Sequence, residues 1–171
     1  RFLEKHASLP RRSLRRSSND ILGIVMNSDS NEQQIYDIIR NEWVAALPEE
    51  IIRQKLVAMM IEDKGFPKEL ISVEKSLRDM PHLTDIKGSL PDRRVDIVAF
   101  AKGIHPSYNL YPLLVVECKA VKITEKVISQ VTGYNHYMKA CFVAVANDTE
   151  LRTGWYNNTL DKYTFIEGMP T

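Results

Sequence analysis

Two short segments carry the side chains best suited to chemistry. In Pro112-Leu113-Leu114-Val115-Val116-Glu117-Cys118-Lys119-Ala120, aliphatic residues run straight into a carboxylate and, two positions later, an ammonium. A continuous valine-rich run of this kind is expected to be a strand buried on both faces. Side chains alternate along a strand, so Glu117 and Lys119 should share a face, with Cys118 opposite. An unpartnered buried charge is costly, so two charges at the end of a core strand call for a metal ion, a substrate or an ion pair. Earlier in the chain, Arg93-Arg94-Val95-Asp96-Ile97-Val98-Ala99-Phe100 is β-branched and apolar around one carboxylate, Asp96. Two carboxylates meeting where neighbouring strands end form a hard-oxygen site for a divalent cation such as magnesium. A lysine beside them can orient a water or steady developing negative charge on a phosphate.

Asp96 followed by Glu117-Cys118-Lys119 resembles the core of the PD-(D/E)XK nucleases, the restriction-endonuclease-like fold. Downstream, Gln130-Val131-Thr132-Gly133-Tyr134 matches their QxxxY element. Upstream, Pro48-Glu49-Glu50-Ile51-Ile52-Arg53-Gln54 precedes a helix, and Ile71-Ser72-Val73-Glu74 reads as a strand. In this order, over residues 45–147, the series resembles the nuclease domain at the N-terminus of type I restriction enzyme R subunits. An Asp/Glu-x-Lys pattern alone recurs by chance, and the ordered set is what makes the resemblance specific.

The resemblance implies an α/β fold, restriction-endonuclease-like, with a central mixed sheet of four to five strands flanked by helices. It implies a magnesium- or manganese-dependent endonuclease hydrolysing DNA phosphodiester bonds. Asp96, Glu117 and the Cys118 main-chain carbonyl would ligate the metal. Lys119 would position the attacking water or stabilise the pentavalent oxygens. Glu50, or in its place Glu49, would support the metal or a water from a helix. Gln130 and Tyr134, four apart on one helix face, would bond the phosphate backbone or orient Lys119. The implied partners are DNA, a helicase or translocase module, and modification and specificity subunits. Double-strand cutting by one site would also need a second copy, which makes a homodimer an expectation.

Each residue also has a plainer reading. The two strand-end acids and Lys119 could form a structural ion pair, and Glu49 and Glu50 suit a helix start electrostatically. Gln130 could be solvated beside a half-buried Tyr134. Arg53 could reach a phosphate or pair with a neighbouring acid, and Glu74 could lie near the metal or pair with Lys75. Arg93 and Arg94 could bind DNA phosphates or mark a solvated strand end. Tyr108 and Tyr111 could stack on unpaired bases or stay inert. The alternative function is a non-catalytic nucleic-acid- or protein-binding domain on the same fold. A glycoside hydrolase using Asp96 and Glu117 as its acid pair leaves Lys119 and the Gln/Tyr pair without a task.

These residues sit in a chain of 171 residues, 44% hydrophobic and 26% charged, with a formal net charge of +1. That length suits one domain with a real core, and nothing in the net charge demands nucleic acid. The charge is uneven: residues 1–20 hold six basic residues (Arg1, Lys5, Arg11, Arg12, Arg15, Arg16) against Glu4 and Asp20. Residues 1–28 are expected to be a basic segment, disordered or cloning-derived, with a nucleic-acid arm as the other reading and Met26 a candidate initiator. Residues 29–171 are expected to form the nuclease-like domain. Cys118 and Cys141 read as small buried hydrophobes of core strands in a reducing, cytoplasmic compartment. The scattered histidines give no zinc pattern, the apolar runs are too short to span a membrane, and no phosphate-loop motif signals an ATP motor.

The elements follow from periodicity. Ser28-Asp29-Ser30 offers N-caps, and Ile35, Ile38, Ile39, Trp43 and Ala46 recur at helical spacing, predicting a first helix. Pro48 opens a second helix, with Glu49 and Glu50 in its first turn, a stripe of Ile52, Leu56, Met59 and Met60, and Gly65 at its end. Strands are predicted within 68–77, at 93–101, 113–119 and 141–147, with turns over 79–92 and a loop over 103–112. Thr124 caps a helix carrying Val127, Ile128, Val131 and Tyr134, which makes the flanking strands a parallel pair with a right-handed crossover. One or two short aromatic edge strands are predicted between 155 and 166.

Overall fold

The computed structural model describes residues 25–26 and 32–170. A small antiparallel sheet contains β1 (Val25–Met26), β2 (Gln33–Asp37) and β3 (Glu42–Ala45). A six-stranded mixed sheet contains β4 (Ile71–Ser76), β5 (Arg94–Lys102), β6 (Leu110–Cys118), β7 (Phe142–Ala146), β8 (Leu151–Asn157) and β9 (Lys162–Glu167), in chain order. Helix α1 (Pro48–Glu62) leads into β4, and α2 (Glu125–Met138) links β6 to β7. Within the large sheet β6 and β7 pair in parallel, as the intervening helix requires, and the other pairings are antiparallel.

The valine runs have no polar alternation because both faces of the sheet are covered. Ile52, Leu56, Val57 and Met60 of α1 pack on Ile97, Ala99, Leu114 and Val116. Val127, Val131 and Met138 of α2 pack on Val98, Val115, Val143 and Val145. Neighbouring residues of β6 thus feed opposite cores, the outcome expected for a central strand. Helix α1 begins at Pro48 with Glu49 and Glu50 in its first turn, and Gly65 just beyond it has φ 71°. The expected stripe is present with Val57 added, while Met59 is only partly buried. Thr124 precedes α2, although its hydroxyl makes no capping bond.

Several expectations are corrected. The first predicted helix is instead the β2–β3 hairpin. The Asp37 carboxylate accepts from the N–H groups of Ile39 at 2.8 Å and Arg40 at 2.9 Å, and Asn41 at φ 57° completes the turn. An aspartate that satisfies the amides two and three residues on offers the backbone an alternative to helix, and here it prevails over the helical spacing of the isoleucines. The sheet has six strands instead of four or five, because both tail segments join it. Cys141 lies exposed just before β7, and Cys118 alone of the two cysteines is buried. The 79–92 connection is built of tight 3-10 turns over Leu77–Asp79 and Pro81–Ser89, with Leu77, Met80, Leu83 and Leu90 plugging the α2-side core. Strand β6 begins before Pro112, at a register shift between Ala99 and Phe100 opposite, where the missing N–H of proline is tolerated.

The 1–28 segment lies outside the described residues apart from Val25–Met26, as does the Ser28–Ser30 cap. Among the described residues no helix is long and apolar enough to cross a membrane.

Candidate active site

The antiparallel register pairs Ile97 with Val116. One residue beyond that last ladder pair stand Asp96 of β5 and Glu117 of β6. The Cys118 N–H donates to Asp96 Oδ2 at 2.7 Å, fixing that carboxylate to the neighbouring strand. Glu117, only 4% exposed, turns toward α2 and accepts on Oε1 from Gln130 Nε2 at 2.8 Å. Lys119 Nζ reaches the same oxygen at 2.8 Å, so Glu117 and Lys119 do share a face, with Cys118 packed in the α1-side core. The second amide proton of Gln130 goes to Tyr134 Oη at 2.6 Å. That phenol also accepts from Arg93 Nη1 at 3.3 Å, with the guanidinium lying over its ring. Five sequence-selected side chains, Asp96, Glu117, Lys119, Gln130 and Tyr134, therefore come together. Tyr134 is buried and contacts Gln130, and does not reach Lys119 directly.

Burial pushes the Glu117 carboxyl above its ordinary range; the charges of Asp96 and Glu49 add to this, and Lys119 opposes it. Burial works against the Lys119 ammonium too, but Glu117, Glu49 and Asp96 outweigh it and hold the group charged. The Cys118 thiol is driven far up by burial and by Asp96, so its side chain offers neither a thiolate nucleophile nor a thiolate ligand.

A second cluster centres on Arg53, 5% exposed on α1. Its Nη1 donates to Glu50 Oε2 at 2.5 Å, and its Nη2 donates to Asp96 Oδ1 at 2.9 Å and also pairs with Glu74. Glu50 further accepts from Gln54 Nε2 at 3.0 Å and Arg40 Nη2 at 3.2 Å. Glu50 is thus turned into this arginine-bound cluster, and it is Glu49 whose charge acts on Glu117 and Lys119. Of the two readings of Arg53, the structure has the ion pair. Glu74 pairs with Arg53, not with Lys75. Arg40, held by Asp37 at 2.5 Å, was not singled out from the sequence. Its position directly after the helically spaced Ile35, Ile38 and Ile39 gives no hint of a hairpin turning back onto α1.

Among the described residues no three His, Cys, Asp or Glu side chains converge on a single point. The donor chemistry still fits a magnesium ion, which keeps several waters and takes one or two carboxylates. Glu117 Oε2 accepts no hydrogen bond from a described residue, and the mutual repulsion of Glu117 and Asp96 is what a cation between them would relieve. A cleft of about 520 Å³ opens beside Arg53, with Arg40, Glu49, Glu50, Glu74 and Arg94 in its walls; Asp96, Glu117 and Lys119 do not line it. Tyr108 and Tyr111 lie elsewhere, at the opposite, turn end of β5 and β6, where they cluster with His105 and His82.

Comparison with curated proteins and with solved structures gave no match. Residues 48–170, which run from the first residue of α1 through all six strands of the large sheet, match a family described as the type I restriction enzyme R protein N terminus. The chain belongs to that family, the N-terminal region of type I restriction enzyme R proteins.

Proposed function

We propose that the domain is a magnesium-dependent DNA endonuclease of the PD-(D/E)XK type, the nuclease module of a type I restriction R subunit. The observation that carries this reading is the placement of Asp96 and Glu117 one residue beyond the last β5–β6 ladder pair, with Lys119 and Gln130 on one oxygen of Glu117. Membership of the R-protein family supports a role in restriction. In this reading the remaining modules, a translocating motor and the modification and specificity subunits, are partners.

Asp96 and the Oε2 side of Glu117 would hold the cation, with the Cys118 carbonyl as the main-chain ligand. Bound there, a divalent ion supplies charge neutralisation at the scissile phosphate and a more acidic water. Lys119 orients the attacking water and donates to the oxygens that gain charge as the phosphorus becomes five-coordinate. The water oxygen forms the new bond to phosphorus, and the bond to the leaving sugar oxygen breaks. Gln130 holds Glu117 Oε1 beside Lys119, and Tyr134 fixes Gln130. Arg94, exposed on the cleft wall, suits a phosphate backbone.

The test is nicking of supercoiled plasmid by wild type and Lys119→Ala, with magnesium or manganese and with chelator. Nicking that requires both the metal and Lys119 is the expected result. Metal-independent nicking, or nicking retained without Lys119, would refute the site assignment. A cation titration that shows no binding at Asp96 and Glu117 would turn the reading to a binding domain.

A further inference from the structure

Glu50 of α1, Glu74 of β4 and Asp96 of β5 all bond to the guanidinium of Arg53. Both terminal nitrogens are used, and the enclosed Nε has no partner. Three features show that the chain is shaped around this contact. The three acids come from three different elements, so tertiary packing alone assembles them. Glu74 has φ 50° inside a strand, a costly conformation for a residue with a side chain. The β4–β5 ladder pairs Val73 with Ile97 and Lys75 with Val95, but the rung between them, where Glu74 faces Asp96, is missing. A lysine or a metal ion would gather its ligands round one point. A planar guanidinium can serve acceptors that stand apart, as these do.

We infer that Arg53 is a resident cation of the acidic site: it shares its charge among Glu50, Glu74 and Asp96, holds Asp96 through Oδ1, and limits the site to one divalent ion. Arg53 is a positioning residue acting through Asp96, since it touches neither water nor phosphate in the proposed reaction. This rests on the proposed cation site at Asp96 and Glu117 for its consequence, but the charge-sharing role stands on the ion pairs alone.

The experiment compares wild type with Arg53→Ala by thermal unfolding and by calorimetric titration with Mn²⁺ and Mg²⁺. In chelator, Arg53→Ala should lose on the order of 10 °C in Tm, because Glu74 and Asp96 lose their cation and Glu50 keeps only Arg40. Divalent ion should restore most of that loss, and the variant should bind one more Mn²⁺ per chain than wild type. A loss that divalent ion does not restore, with unchanged stoichiometry, would overturn the inference and leave Arg53 a packing residue. Should Arg53→Ala fail to fold in either buffer, Arg53→Ala/Glu50→Gln/Glu74→Gln decides. Folding of that neutralised variant without divalent ion supports the inference, and its failure to fold overturns it. Neither readout uses cleavage. If wild type binds no cation and Arg53→Ala binds one, the nuclease reading fails while the resident-cation role survives.

Discussion

At the scale of single residues, the site divides its labour by what each side chain can still do. Glu117 Oε1 is saturated by Lys119 and Gln130, which leaves Oε2 for a ligand. Asp96 is held from two sides, by the Cys118 amide and by Arg53. Asp96→Ala, Glu117→Ala and Lys119→Ala should each lower the plasmid-nicking rate at least about 10²-fold, the scale of losing one group that acts on developing charge. Circular dichroism should show the fold retained, and wild-type rates in any one of the three would remove that residue from the chemistry. Gln130→Ala should cost less, on the order of tenfold, because Lys119 still holds Glu117. An unchanged rate would reduce Gln130 to a half-buried hydrogen-bonding residue.

At the scale of elements, the β2–β3 hairpin matters because it delivers Arg40 to Glu50. Its turn depends on Asp37, which is fully buried. Burial raises the Asp37 carboxyl, but the amides of Arg40 and Ile39 and the Arg40 guanidinium outweigh it, and the folded-state pKa is lowered. A carboxyl lowered in the folded state stabilises the protein above its unfolded pKa, about 3.9 for aspartate, and loses that contribution as pH falls below it. Asp37→Asn should therefore cost about 1 kcal/mol at pH 7 by chemical denaturation, and the gap to wild type should close only below about pH 3.9. A gap that is the same at pH 7 and pH 3 would show that the charge of Asp37 is not what holds the turn.

At the scale of the whole molecule, one sheet separates two cores, with α1 on one face and α2 on the other. Val57 lies wholly within the first and Val131 within the second. Each valine truncated to alanine should cost about 2 kcal/mol. The double variant should cost their sum, because residues with no shared partner add. Unfolding should remain one transition by fluorescence and circular dichroism. Two separated transitions would mean that the faces melt independently, and that the acids, which receive groups from both helices, are held by a weaker frame than the sheet suggests.

The sequence by itself determined the central strands, both helices and the meeting of Asp96, Glu117, Lys119 and Gln130. Those features are local or periodic. An apolar run long enough to be buried on both sides, a strand's alternation and a helix's four-residue repeat each constrain geometry within one element, and the order strand–helix–strand then sets a parallel pair. The hairpin at 33–45 was hidden because Ile35, Ile38, Ile39 and Trp43 satisfy a helical spacing, and only the Asp37 turn with α1 against it decides for strand. The direction of Glu50 was hidden as well. Two adjacent glutamates on a helix differ by about 100° around its axis, and which of them faces the strand-end acids depends on how α1 lies on the sheet. Glu50 and Arg53 are three apart on one helix, but the arrival of Glu74 and Asp96 on the same guanidinium belongs to the tertiary structure. The three acids are far apart in the chain and obey no common period, and packing alone brings three like charges near enough to need one shared cation.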